Sequence, residues 1–216
     1  MSKSVLVIGL GRFGRHLITT LEELNHEVLA IDSNEERVNS ALQLTANAMI
    51  GDCTKEEFLK TLGVRNFDVC YVAIGDDFQS SLETTSLLKE LGAKTVVSRA
   101  ASGIQEKFLL RNGADQVVYP EHQLANWAAI RYTADHVFDY VEIDGDYAVF
   151  EVEVPKNWIG KAVVDLDIRK KRNINILGTR KNNVLDMKVT PELVLEEGMS
   201  LYVLGTYNDV DRCFDI

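Results

Sequence analysis

The feature that most constrains this chain is a glycine loop set between two kinds of periodicity. Residues 5–8 are a continuous apolar run, Gly9-Leu10-Gly11-Arg12-Phe13-Gly14 follows it, and residues 12–24 carry a helical pattern. A short run that is apolar on both faces reads as a buried parallel strand, and the loop as the turn that feeds it into a helix. In that context Gly9 permits the tight turn and Gly11 lets main chain approach a pyrophosphate. Gly14 allows close helix–strand packing. Free N–H groups in the first helical turn, together with the helix dipole, supply the rest of an anion site.

The alternation continues. Apolar runs at residues 27–32, 46–52, 68–76, 94–100 and 115–120 are separated by helical patterns at 34–44, 55–62, 80–91 and 104–111. Six strands in strict βα order predict an α/β fold, a Rossmann-like doubly wound parallel sheet. After Pro120 the pattern changes: residues 122–138 read as one apolar-faced helix, and strands dominate beyond it. Polar–apolar alternation around Asp144-Gly145 signals a hairpin. Residues 163–173 look helical, 174–183, 184–189 and 199–206 look like strands, and 208–214 a closing helix. We therefore expect two domains, residues 1–136 with the crossover helix and residues 137–216 as a small α+β domain. About 80 residues make a small core, so the second domain is expected to pair with a copy of itself. The apolar face of the helix around Leu124, Trp127 and Ile130 is expected to take part.

Composition removes several classes of function. A net charge of −10 has the wrong sign for a non-specific nucleic-acid binder or a polybasic membrane anchor. No stretch approaches the ~20 apolar residues that a membrane span requires. Cys53, Cys70 and Cys213 are odd in number, widely spaced and without a C-x-x-C pair, which predicts free thiols in a reducing compartment.

Asp32 ends the second strand, where a carboxylate can accept the hydroxyls of an adenosine ribose and would repel a 2′-phosphate; capping of the next helix is the plainer use of such a residue. Asp52 and the Gly75-Asp76 pair end strands three and four, at the edge that lines the ligand crevice in open α/β sheets; Asp76 and Asp77 serve equally well as caps. Arg99 ends strand five at the same edge and Arg12 lies in the loop, two cations suited to a phosphate chain. A dehydrogenase would also need an acid or base beside its nicotinamide and a substrate pocket. The chain has no Tyr-x-x-x-Lys pair, no H-E-x-x-H and no G-x-S-x-G, and the expectation is a site that holds a ligand without transforming it.

With the glycine loop, "AIGDD", "VSRA", "VYPE" and the small second domain in order, nearly the whole chain resembles a known family. It is similar to the regulator-of-potassium-conductance (RCK) subunits of bacterial Ktr/Trk potassium-uptake systems, an RCK-N (TrkA-N) domain followed by RCK-C (TrkA-C). "NWIGKAVVDLDIRKKRNINILGTRKNN" resembles the opening of that second domain, and "VTPELVLEEGMSLYVLGT" its close. The resemblance implies a cytoplasmic protein that is not an enzyme. It implies dimers assembled into an octameric ring, peripheral to the inner face of the membrane through an integral-membrane potassium-translocating subunit of the KtrB/TrkH type. ATP/ADP exchange would switch the pore.

By motif position the resemblance assigns the loop to Gly9, Gly11, Arg12, Phe13 and Gly14, with Arg12 reaching the γ-phosphate region. It assigns the ribose to Asp32, the surroundings of the adenosine to Ser33, Asp52, Cys53, Ile74 and Gly75, and phosphate contact to Arg99. It implies Mg2+, Ca2+ or Na+ at Glu121 in a dimer interface, and cyclic di-AMP at Arg169, Asn175, Ile176 and Pro191. Arg172-Asn173 stands where the family often has a histidine or tyrosine. The alternatives are an NAD/NADH-binding regulator of a Trk-type transporter, the regulatory part of another RCK-gated transporter, and a small NAD-dependent oxidoreductase.

Overall fold

The computed structural model describes residues 2–133 and 136–214. The chain divides into two compact units, Met1–His122 and Gln123–Ile216.

In the first unit β1 (Ser4–Ile8) runs into α1 (Arg12–Glu23), β2 (Glu27–Asp32), α2 (Glu35–Ala41), β3 (Ala48–Ile50) and α3 (Glu56–Thr61). A short 3-10 turn (Val64–Asn66) leads to β4 (Val69–Val72), then α4 (Phe78–Glu90), β5 (Val96–Arg99), α5 (Gly103–Arg111) and β6 (Gln116–Val118). The strands form one sheet in the order β3-β2-β1-β4-β5-β6, parallel at every junction. This is the doubly wound topology expected from the βα alternation. β1 is central because both of its faces are apolar. Val5 and Val7 pack with Ile18, Leu21 and Val28; Leu6 and Ile8 pack with Ile31, Cys70 and Val72. Fully burying a side chain of this size contributes roughly 1.5–3 kcal/mol. After β3 the chain crosses to the other side of β1, and at that reversal the ends of β1 and β4 leave a crevice.

Strands three and four are shorter than the apolar runs at residues 46–52 and 68–76 imply. Residues 73–77 leave the sheet after Val72 and line the crevice instead. Asn34 caps α2, its side chain accepting from Arg37 N–H at 3.1 Å. Asp77 caps α4 in the same way through Ser80 N–H at 3.0 Å.

Helix α6 (Pro120–Thr133) contains the division between the units. The expected helix over residues 122–138 begins earlier and ends earlier, and its residues 134 and 135 lie outside the described residues. Val137 and Phe138 belong to a strand, Val137 being buried in the second core. The compact units divide ahead of residue 137 because Trp127 and Ile130 of α6 pack on that same core.

The second unit continues with β7 (Val137–Asp144), β8 (Tyr147–Glu153), α7 (Val163–Leu166), α8 (Ile168–Arg172), β9 (Asn175–Lys181), β10 (Val184–Asp186), β11 (Ser200–Thr206) and α9 (Tyr207–Phe214). Its sheet is antiparallel, in the order β10-β9-β11-β8-β7. Phe150, Val152, Leu201 and Val203 alternate inward from β8 and β11, and Trp158 meets Phe214 edge-on at 5.4 Å. Asp144 pairs with Tyr147, so the hairpin turns at Gly145-Asp146, with Gly145 at φ 54°. The helical stretch expected at residues 163–173 is broken at Asp167, whose φ of 47° is left-handed.

Candidate functional site

A cleft of about 660 Å³ opens at the carboxyl edge of the parallel sheet. The glycine loop forms its floor, and each glycine acts differently. Gly9 has a φ of +95°, and a Cβ there would lie 2.8 Å from the Ile74 nitrogen. Gly14 does not line the cleft: a Cβ there would sit 2.0 Å from the Gly9 carbonyl oxygen, so this glycine lets α1 close onto the loop. A Cβ on Gly11 would meet nothing within 4 Å, which leaves its side of the loop open. Gly11 precedes α1, and no side chain among the described residues caps that helix end, so its first N–H groups remain available to an anion.

Asp32 is only 6% exposed. Leu10 N–H donates to its Oδ2 at 2.7 Å and Asn34 N–H to its Oδ1 at 2.9 Å. The main chain of the glycine loop thus fixes the carboxylate, which keeps further lone pairs for a pair of vicinal hydroxyls. It does not cap α2, because Asn34 does. Arg37, 47% exposed, stands 3.6 Å from Asp32 Oδ2 and also lines the cleft.

Ser33, Asp52, Cys53 and Ile74 line the cleft. Asp52 Oδ1 accepts from both the hydroxyl and the N–H of Thr54, and these bonds hold its carboxyl below the ordinary range. Burial, with Asp52 and Asp32 adding to it, pushes the Cys53 thiol up to about 12.

On the β4–β5 side, Arg99 lies against Gly75, pairs with Glu121 and sits 5.8 Å from the centre of the Phe13 ring. Partial burial pulls the Glu121 carboxyl upward. Its own N–H, Arg99 and the charge of Arg12 outweigh that and hold it below the ordinary range. Arg12 itself is exposed at the rim. Thr84, fully buried on α4, lines the same side, and among the described residues its hydroxyl has no hydrogen-bond partner; neither has the Arg99 Nε–H.

The nucleotide-site residues read from the sequence, Gly14 apart, are therefore brought together with Glu121 around one cleft, joined by Arg37, Ser80 and Thr84, which the sequence reading missed. Arg37 was legible as a cation one turn into the helix after the ribose acid. Thr84 had no signal beyond an ordinary helical position. The arrangement fits a phosphorylated adenosine. It does not fit a metal held by one chain: Glu121 is paired with Arg99, and no group of three His, Cys, Asp or Glu side chains gathers among the described residues.

The cyclic-dinucleotide residues lie in the second unit. Arg169 is exposed on α8, Asn175 and Ile176 open β9, and the Pro191 carbonyl accepts from Val164 N–H. None of them lines the cleft of about 300 Å³ found in that unit.

Residues 5–120 match the TrkA-N domain model, and residues 148–216 match the TrkA-C domain model. The chain is 38% identical over 213 residues to the Ktr system potassium uptake protein C of Bacillus subtilis, covering 98% of this chain and 96% of that one. It is 34% identical over 211 residues to the Ktr system potassium uptake protein A of the same organism, covering 98% and 95%. Among solved structures, the GsuK RCK domain superposes with a TM-score of 0.69 at 20% identity, covering 100% of this chain and 47% of that one. The GsuK channel bound to NAD gives the same TM-score and identity, covering 97% and 38%. At that identity the likeness shows the fold. No helix among the described residues is long and apolar enough to cross a membrane.

Proposed function

We propose, from the premise that this chain belongs to the TrkA family of paired TrkA-N and TrkA-C domains, that it is the regulatory subunit of a potassium-uptake system. Its cleft holds an adenine nucleotide and reports which one is bound. The observation that carries this is the buried Asp32 carboxylate, fixed by the glycine loop's own N–H beside an uncapped helix end. The Ktr relatives, matched over nearly their full length, supply the potassium-uptake context.

ATP and ADP make identical adenosine contacts, so Asp32, Ser33, Cys53 and Ile74 cannot distinguish them. Only a group that meets the third phosphate shifts an equilibrium between two states. Arg12 is that group on this side of the cleft: exposed, cationic and on the loop itself. The protein then acts by holding a nucleotide, without chemistry on it, from the cytoplasmic side of an integral-membrane partner. It works as a dimer assembled into an octameric ring, and Glu121 takes a cation only where a second subunit completes the ligand set. Cyclic di-AMP, bound through Arg169, Asn175, Ile176 and Pro191, is a second input. The test is potassium flux into vesicles holding the membrane subunit with this chain bound. ATP and ADP should set two different flux levels, and equal flux with either would contradict the proposal.

One observation favours a second ligand. The cleft extends past the loop to the Thr84 hydroxyl and Arg99 Nε–H, both buried and unpartnered. A dinucleotide would reach that side, and the GsuK channel that shares this fold was solved with NAD.

A further inference from the structure

The second unit contains a cleft of about 300 Å³ of its own. Its walls are aromatic: Tyr140 and Phe150 stack at 5.9 Å with 20° between their planes, and Tyr207 packs on Phe150 at 6.3 Å. Tyr147 lines it as well, half exposed, and Ile130 of α6 closes one side. Glu142 and Asp146, one from β7 and one from the hairpin turn, add two carboxylates. No lysine, arginine or histidine is among the described residues that line it. The second unit's ion pairs among the described residues, Arg180–Glu151 and Lys181–Glu196, and the His136–Glu153 hydrogen bond leave both carboxylates unpaired. Burial first, and the charge of Glu142 second, push ionisation of the Tyr140 hydroxyl above its ordinary range, so the Glu142 charge is felt inside the cleft.

Aromatic faces with two free carboxylates and no cation are complementary to a cation on an apolar stem. A volume near the lower end for ligand sites has room for one side chain, and two carboxylates without a cation do not suit a phosphate. Guanidinium is favoured over ammonium because it stacks flat on aromatic rings and presents a fork of donors to carboxylates. We propose that this cleft is a docking site for an arginine side chain of a partner protein. The side chain's methylenes lie on Phe150 and Tyr207, and its guanidinium is neutralised by Glu142 and Asp146. The site is separate from the nucleotide cleft, and its test does not depend on which nucleotide that cleft takes.

The experiment is a 13C-resolved NMR titration of the full chain with acetyl-Ala-Arg-Ala-amide. The same peptide with norleucine in place of arginine, and agmatine as the free cation, are run beside it. The arginine peptide should shift Tyr140, Ala148 and Tyr207 while leaving Ala73 in the nucleotide cleft unmoved, and the norleucine peptide should bind at least about tenfold more weakly. The double variant Glu142→Gln/Asp146→Asn changes two polar side chains without altering the aromatic walls, and should weaken arginine-peptide binding by about tenfold or more. The distant variant Glu197→Gln should not. Equal binding of the norleucine peptide, or binding that survives the double variant, would overturn the proposal. So would the absence of shifts at millimolar peptide, or agmatine binding from which the peptide is excluded.

Discussion

Arg99 occupies the space that a side chain on Gly75 would need: a Cβ there would lie 1.9 Å from Arg99 Nη1. The obstacle is the end of a flexible side chain, so Gly75→Ala should swing Arg99 off Glu121 and Phe13 and leave the sheet intact. We expect under about 1 kcal/mol of lost stability and about a tenfold loss in nucleotide affinity. Gly9→Ala is the contrast. There the φ is +95° and the neighbouring atoms are main chain, so stability itself should fall by about 1–3 kcal/mol. Thermal unfolding with and without nucleotide separates the two outcomes.

Arg12→Ala should leave ADP binding nearly unchanged and abolish the preference for ATP, because only the third phosphate distinguishes the two ligands. Competition binding of the two nucleotides measures the ratio directly. Equal weakening of both would show that Arg12 serves a phosphate they share.

Glu151 is a buried carboxylate, 6% exposed, that accepts from Ser200 Oγ at 2.6 Å, Tyr202 Oη at 2.7 Å and Arg180 Nη1 at 3.1 Å. Burial, and then Glu151 itself, push the Tyr202 hydroxyl up to about 12. Glu151→Ala strands the buried Ser200 hydroxyl, the half-buried Tyr202 hydroxyl and an arginine, and should cost about 2–3 kcal/mol. Tyr202→Phe removes one bond and should cost about 1 kcal/mol. Trp127 and Trp158, the chain's two tryptophans, both lie in the second unit. Urea unfolding followed by tryptophan fluorescence therefore reports that unit.

Cys53 and Cys70 are buried in the first unit, and burial pushes both thiols up to about 12. In the unfolded chain they ionise near their ordinary value of about 8.5. Above that pH the unfolded state sheds protons that the folded state retains, so the stabilisation is fully present below about pH 8.5 and is lost as pH rises toward 12. Each thiol should contribute a slope of about 1.4 kcal/mol per pH unit in that window. Denaturant unfolding of the first unit, followed by far-ultraviolet circular dichroism from pH 8 to 10.5, should show this decline. Cys53→Ala should roughly halve the slope.

The parallel sheet was legible because each strand is a short apolar run followed by a turn residue, and burial of Val5–Ile8 on both faces is a property of the run itself. The glycine loop and Asp32 were legible for the same local reason. Thr84 was not, because its relation to the cleft depends on how α4 lies across the sheet edge, which no local pattern encodes. The break at Asp167 was hidden because aspartate tolerates a left-handed conformation without the sequence having to show a glycine. The ending of α6 was missed because an apolar face continues through Val137, which serves a strand as readily as a helix.

The most direct test of the central claim is calorimetric titration of the purified chain with ATP, ADP and NADH in parallel. Tight binding of ATP and ADP with much weaker NADH is the result predicted by an adenine-nucleotide switch with Asp32 on the ribose and Arg12 on the terminal phosphate. Tight NADH binding with indifference to ATP would contradict it, and would move the site's function to the dinucleotide that Thr84 and Arg99 could hold.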